Sequence, residues 1–203
     1  MIMLSLFGLL FLLMFLGVPV SVALGASTLI TAHFFADMEL MGIVSHVFDG
    51  LNKYSLMAIP MFILAGSFLS KGGAAKRIID FAKSIVGHLP GGLPISAIFA
   101  AMIFAAVSGS SPATVAAIGS VMFSAIKEAG YPQGYAIGTI ATSGSLGILI
   151  PPSIVFIVYG VTADLSIGKL FMAGVIPGLL IGFMLMAITY IGAVRLGKKK
   201  KKP

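Results

Sequence analysis

The feature that most constrains the fold is the segment from Pro94 to Ile126, which contains no charged side chain. A single helix of that length would be about 50 Å long, whereas the hydrocarbon core of a bilayer is about 30 Å thick. The middle of the segment, Ser108–Pro112, reads "SGSSP" and consists of poor helix formers. We therefore predict a re-entrant hairpin, in which the chain enters the membrane, turns at mid-depth and leaves on the side from which it came.

The composition predicts an all-α integral membrane protein. Hydrophobic residues make up 59% of the 203-residue chain and charged residues only 9%, whereas soluble domains carry about a quarter charged residues. The apolar runs are long and do not alternate with polar residues, which favours helices over a membrane β-barrel. The sequence has no cysteine, which excludes disulfides and thiolate metal sites. We find no nucleophile–base arrangement and therefore expect no enzymatic activity.

The basic residues predict the topology, because cytoplasmic loops carry an excess of Lys and Arg. Five of the thirteen cations form the terminal run Lys198–Lys202, without the aromatic platform that nucleic-acid binding would need, so we expect no nucleic-acid partner. A hairpin at 94–126 places this run on the same side as an internal basic cluster. The cluster consists of Lys71, Lys76, Arg77 and Lys83. The C-terminus is then cytoplasmic, and Asp37, Glu39 and Asp164 lie outside.

These patterns divide the chain into six segments. They are scaffold-type transmembrane helices at 1–70, a cytoplasmic amphipathic connecting helix at 71–93, the re-entrant hairpin at 94–126, a discontinuous transmembrane helix at 134–163, a last transmembrane helix at 169–195 and a basic cytoplasmic tail at 196–203. The apolar run Leu4–Phe35 is interrupted at Gly17–Pro19 and fits either one kinked helix or two shorter ones.

A second break lies in the stretch Thr142–Ser153, "TSGSLGILIPPS". Pro151 and Pro152 cannot donate backbone hydrogen bonds, and the glycines permit an unwound backbone. Irregular backbone at membrane depth is stable only where protein encloses it or where it lines a polar cavity. Broken helices expose carbonyl groups that can bind a cation. Two such breaks in adjacent segments favour an ion site over simple Pro/Gly kinks, which remain the alternative.

The residue types at the breaks indicate which ion would bind. Proton relays in membranes usually employ Asp, Glu or His inside a span, but Asp80, Glu128, Asp164 and the three histidines all lie at the ends of the predicted spans or in the segments between them. A site of neutral oxygens suits Na⁺ better than H⁺. We therefore expect Na⁺ as a coupling ion and no cofactor.

Three stretches carry a family resemblance: "LMAIPMFILAGSFLSKGG", "SGSSPATVAAIGS" and "GSLGILIPPSIVFIVYG". The chain resembles the N-terminal half of the large membrane (permease) subunit of tripartite ATP-independent periplasmic (TRAP) transporters. The resemblance implies an elevator fold like that of the ion-transporter superfamily, of which this chain would be one half of an inverted repeat. It also implies a bacterial inner-membrane location.

The resemblance further implies which residues bind Na⁺. They are Ser108 and Ser111 at the hairpin tip, and Gly147, Ile150 and Pro152 at the second break, the last three through backbone carbonyls. Secondary candidates for ion or substrate contact are Ser110, Thr114, Ser143, Gly144 and Ser145.

The function implied by the family is Na⁺-coupled import of an organic acid, such as a C4-dicarboxylate or sialic acid. The implied partners are a small membrane subunit, a periplasmic substrate-binding protein, the lipid bilayer and a second half of the large subunit. The second half is expected because the sequence has one hairpin, one broken helix and no internal repeat, which predicts a fragment or one product of a split gene. A passive channel module and a membrane scaffold without transport are the alternatives.

Overall fold

The computed structural model describes residues 2–36 and 38–196. This part is helical and contains no β-strand, which confirms the all-α class. The helices are α1 (Ile2–Phe15), α2 (Val20–Phe35), α3 (Leu40–Leu51), α4 (Ala58–Lys71), α5 (Ala74–Val86), α6 (Gly92–Ser108), α7 (Ser111–Glu128), α8 (Gln133–Gly144), α9 (Leu146–Leu149), α10 (Ile154–Thr162) and α11 (Ile167–Arg195). Asp37 and Lys198–Lys202, for which the sequence predicts a side of the membrane, lie outside the described residues.

The chain forms two compact units, Met1–Lys53 and Tyr54–Pro203. In the first unit, the apolar run at Leu4–Phe35 is two helices that pack against each other. Gly17, with φ of +80°, ends α1, and the Val18 N–H donates to the Leu13 carbonyl at 3.1 Å. A left-handed residue is a common way to end a helix. Of the two forms compatible with the sequence, one kinked helix or two shorter helices, the chain adopts the second.

Several helices are long and apolar enough to cross a bilayer. Tyr54–Lys71 and Ile167–Arg195 each qualify alone, and Gln133–Leu149 qualifies together with Ile154–Thr162, to which it is bent by 42°. The helix Gly92–Ser108 is also apolar but shorter. The apolar helices of the described chain are those of a membrane protein, as the composition predicts.

Helix α6 forms the centre of the second unit. Ala97, Ala100 and Phe104 of this helix are completely buried, and its small side chains let α5 and α7 approach closely. Because lipid is as apolar as the protein interior, Phe104 contributes here through close packing rather than through its removal from water. Ile79 is the centre of the apolar face that α5 packs into the same core, while Lys76 on the opposite face is exposed. The predicted amphipathic helix therefore buries its apolar face against α6.

Helix α11 supports the second break through two glycines one helical turn apart, Gly174 and Gly178. A Cβ built at Gly178 would lie 2.9 Å from Ile150 Cγ1 and 3.3 Å from Ile150 Cα, so the unwound backbone lies directly on this helix. The Tyr135 hydroxyl also donates to the Thr189 carbonyl at 2.7 Å, which attaches the start of α8 to α11.

Candidate ion-binding site at two helix breaks

The first break is a turn of two residues, Gly109 and Ser110, between α6 and α7. It is narrower than the five-residue gap that the sequence suggests, because Ser111 and Pro112 belong to the first turn of α7. Proline is tolerated there, since the first N–H groups of a helix have no intrahelical partner. Each arm is consequently about 26–27 Å long. The two arms pack against each other.

Polar groups in this turn satisfy one another. The Thr114 hydroxyl donates to the Ser110 carbonyl at 2.8 Å. The Ser108 hydroxyl lies 3.1 Å from that of Thr114, and either hydroxyl can donate in their shared bond. It also accepts from the Ser110 N–H at 3.4 Å. Gly109, with φ of +60°, donates to the Ala105 carbonyl at 2.9 Å. The hydroxyls of Ser108 and Thr114 therefore have hydrogen-bond partners within the turn itself.

Polar groups at the second break, between α9 and α10, are less well satisfied. Ile150 is extended, with φ of −80° and ψ of 119°. Because Pro151 and Pro152 have no N–H, the carbonyls of Gly147 and Ile148 lack the donor that a continuous helix would supply four residues later.

Ser153, which precedes α10, is completely buried, and its hydroxyl has no hydrogen-bond partner among the described residues. Ser153 is not among the candidate residues predicted from the sequence. Its position is the signal that was available, because serine directly before a half-helix is the typical N-cap. Here the side chain does not cap the helix, so a buried polar oxygen remains unmatched.

The two breaks touch each other, and we call their contact, formed by residues 108–111 and 147–154, the junction. The Gly109 carbonyl accepts from the Ile154 N–H at 3.1 Å. A Cβ on Gly109 would lie 2.8 Å from the Pro152 oxygen, and a Cβ on Gly147 would lie 2.8 Å from the Ser110 oxygen and the Ser111 nitrogen. Glycine at both positions is what permits this approach.

The structure places the five primary candidates at or beside the junction. Ser108 and Ser111 flank the first turn, Gly147 lies against the Ser110–Ser111 peptide, and Pro152 directs its carbonyl towards Gly109. Ile150 connects the same stretch, with its side chain against Gly178. Their roles as Na⁺ ligands remain predictions.

The secondary candidates differ in how free their polar groups are. The Ser143 hydroxyl donates to the Ile140 carbonyl at 2.8 Å, and the Ser145 hydroxyl donates to the Thr142 carbonyl at 2.7 Å, both within α8 or at its end. Thr114 belongs to the turn network, Ser110 lines an adjacent cavity, and Gly144 packs against the side chain of Val115.

The junction is electrically neutral. No charged residue occurs in 94–126 or 134–163. The described residues contain no group of three or more His, Cys, Asp or Glu side chains that could hold a metal ion. The atoms that could bind an ion here are therefore hydroxyl and carbonyl oxygens, which are the ligands that discontinuous membrane helices offer to Na⁺.

Comparison with known proteins identifies the family. Residues 7–202 match the family described as "Tripartite ATP-independent periplasmic transporter, DctM component". The chain belongs to this family. The match confirms the resemblance drawn from the three sequence stretches, and most of the chain is included in it.

Three relatives illustrate the range of TRAP permeases to which the chain is similar. It is 51% identical to the C4-dicarboxylate TRAP transporter large permease protein DctM of Pseudomonas aeruginosa, over 84% of this chain and 40% of that protein. Its identity to the DctM protein of Vibrio cholerae is 46%, over 94% of this chain and 42% of that protein. Its identity to the sialic acid TRAP transporter permease protein SiaT of Haemophilus influenzae is 39%, over 94% of this chain and 30% of that protein.

The chain thus spans less than half the length of these TRAP permeases. The matched region is their N-terminal part. Because the relatives are named as permeases, the expectation that this chain is not an enzyme is confirmed.

Proposed function

We propose that the chain forms part of the membrane permease of a Na⁺-coupled TRAP transporter that imports an organic acid. The relatives named for C4-dicarboxylates and for sialic acid support this substrate class, since both substrates carry carboxylates. The partners in this proposal are a small TRAP membrane subunit, a periplasmic substrate-binding protein and the remaining part of the large subunit. The location is the bacterial inner membrane, with a cytoplasmic C-terminus.

The observation that carries the proposal is the contact between the two breaks. It places the hydroxyl-bearing turn against a backbone stretch in which Pro151 and Pro152 deprive two carbonyls of donors. A cation that leaves water needs oxygens to replace its hydration shell. Ser108, Ser111 and the carbonyls of the second break can supply them.

The Ser153 hydroxyl, which has no partner in the described part of the chain, adds one further oxygen from the second break. Its oxygen makes no hydrogen bond within the described part of the chain, so its lone pairs are open to a cation. We therefore include Ser153 among the candidate ligands. A Na⁺ ion at this place would satisfy a group whose burial is otherwise unfavourable.

The mechanism that follows is an alternating-access movement of the elevator type. In it, α6 and α7 form a re-entrant hairpin that moves together with the discontinuous helix α8–α10. Na⁺ at the junction would favour the arrangement in which both breaks touch, because it binds oxygens from each of them. Coupling arises when substrate binds better to the permease with Na⁺ at the junction than to the permease without it.

The test is uptake of radiolabelled succinate and sialic acid by proteoliposomes that contain this chain, the remaining part of the large subunit and the small subunit, with the binding protein outside. Uptake is expected with a Na⁺ gradient and not with choline. Replacing both Ser108 and Ser111 with Ala should raise the half-saturating Na⁺ concentration roughly ten-fold or more, since two oxygen ligands are removed.

Ser120→Ala is the matched control for these substitutions. Ser120 also lies on α7, but its hydroxyl donates to the Ala117 carbonyl at 2.9 Å and does not belong to the junction. Uptake at equal rates in Na⁺ and choline would contradict the coupling. Ion conductance without the binding protein would favour a passive channel instead.

A further inference from the structure

A cavity of about 240 Å³ lies beside the junction, between α4 and α7. It begins at Ser108 and Ser110 and runs along both helices as far as Lys71 and Ala116. Gly66 brings α4 close to the turn, since a Cβ built there would lie 3.5 Å from Ser108 Cβ. The cavity therefore connects the junction with the C-terminal end of α4.

Hydroxyl groups on the α4 side of this cavity are free. Ser67 and Ser70 both line it, and neither side chain has a hydrogen bond to another residue in the described part of the chain. Helical serines often donate to the preceding turn, as Ser96 of α6 does to the Gly92 carbonyl at 2.6 Å. Ser67 and Ser70 are both exposed, so water or a bound ligand can accept from their hydroxyls.

The cavity wall carries positive charge. Among the described residues that form it, Lys71 is the only charged one. The only acidic residue outside the described part is Asp37, and the described carboxylates form no ion pair with Lys71. An ammonium group together with hydroxyl donors is the complement of a carboxylate.

We propose that this cavity binds the carboxylate of a small organic anion, with the Lys71 ammonium as its counter-charge and the hydroxyls of Ser67 and Ser70 as hydrogen-bond donors. The inference rests on the proposed function and states where the substrate lies next to the Na⁺ junction. Pockets for drug-sized ligands usually measure about 300 Å³ or more, so a volume of about 240 Å³ suits a short mono- or dicarboxylate.

The sequence has no cysteine, so a single introduced cysteine can be labelled without background. Its reaction rates with charged reagents then report the charge of the cavity. In the full chain in lipid nanodiscs, Ala113→Cys places one thiol on the cavity wall, and Ala141→Cys places one on α8 outside it. Adding Lys71→Gln should slow modification of the Ala113→Cys thiol by an anionic methanethiosulfonate reagent roughly five-fold and accelerate a cationic one. The thiol at position 141 should react at unchanged rates.

Two further variants control this measurement. Lys71→Arg keeps the charge and should keep the rates, whereas Lys76→Gln removes a charge from the exposed face of α5 and should leave them unchanged. If Lys71→Gln changes the rate of neither reagent at the Ala113→Cys thiol, the proposal of an anion site in this cavity is wrong.

Binding is tested with succinate as the probe and its neutral diamide as the comparison. Succinate should protect the Ala113→Cys thiol from a neutral maleimide, the diamide should not, and Lys71→Gln should raise the protecting concentration roughly five-fold or more. Equal protection by both compounds would overturn the proposal. Protection without Na⁺-dependent uptake would support the carboxylate site and refute the proposed transport function. Normal uptake by the Lys71→Gln variant would refute the carboxylate site alone.

Discussion

The two helix breaks interrupt neighbouring segments in similar sequence contexts, yet they differ in how their polar groups are satisfied. At the first break, the hydroxyls of Ser108 and Thr114 bond each other and the turn. At the second, the Ser153 hydroxyl is buried without a described partner, and tandem prolines leave carbonyls without donors. A break that satisfies itself can form without a ligand, whereas one with unmatched oxygens gains stability when a cation arrives.

The strongest way to disturb this arrangement is to separate the breaks. Gly147→Ala puts a methyl group 2.8 Å from backbone atoms of Ser110 and Ser111, which cannot move without shifting the turn. We expect a loss of about 3 kcal/mol in unfolding free energy, at the upper end of the range for overpacking. Thermal unfolding of the detergent-solubilised chain measures it.

Gly138→Ala is the matched control, because a Cβ at Gly138 of α8 has no atom within 4 Å. Replacing a helical glycine with alanine there should stabilise the chain by up to about 1 kcal/mol. Equal responses at positions 147 and 138 would show that the two breaks are not in contact.

The next largest effect concerns the turn itself. Gly109→Ala combines a left-handed backbone, with φ of +60°, and a Cβ 2.8 Å from the Pro152 oxygen. The expected loss is about 2 kcal/mol, of which about 1 comes from the backbone conformation. Gly17→Ala isolates that part, because Gly17 also has positive φ but no atom within 4 Å of a Cβ. Equal losses in thermal unfolding would contradict the contact with Pro152.

A smaller effect tests whether the first break satisfies itself. Ser108→Ala and Thr114→Val each remove one side of the 3.1 Å hydroxyl pair. Each should lower the unfolding free energy by about 1 kcal/mol. The double variant should lose less than the sum, with a coupling energy of about 0.5–1 kcal/mol. Additive losses in a double-mutant cycle would mean that the two hydroxyls act independently.

The sequence was sufficient to locate both breaks and to predict helices around them. The breaks are caused by Gly109 and by the pair Pro151–Pro152. Glycine permits a left-handed backbone and proline lacks an N–H, so the residue types themselves indicate a break. The predicted length of the first break was wrong, because proline fits the first turn of a helix as well as a loop, and Pro112 belongs to α7.

The pairing of polar atoms could not be predicted in the same way. Ser108 and Ser153 are both serines next to a helix break, but Ser108 finds its partners in the turn itself, whereas no described residue bonds to the Ser153 hydroxyl. The contact between Ile150 and Gly178 could not be predicted either, because these residues are far apart in sequence and meet only in the folded unit. Local signals therefore predicted the breaks, and tertiary contacts determined their chemistry.

The smallest expected effect has the opposite sign and separates the two breaks most clearly. Ser153→Ala removes a buried hydroxyl that has no described partner, so in choline it should raise the unfolding free energy by about 0.5–1 kcal/mol, whereas Ser108→Ala lowers it. In Na⁺ the gain should disappear, because the variant also loses an ion ligand. Thermal unfolding of both variants in the two salts measures this difference. If Ser153→Ala is destabilising in choline, its hydroxyl has a protein partner, and the second break satisfies itself as the first one does.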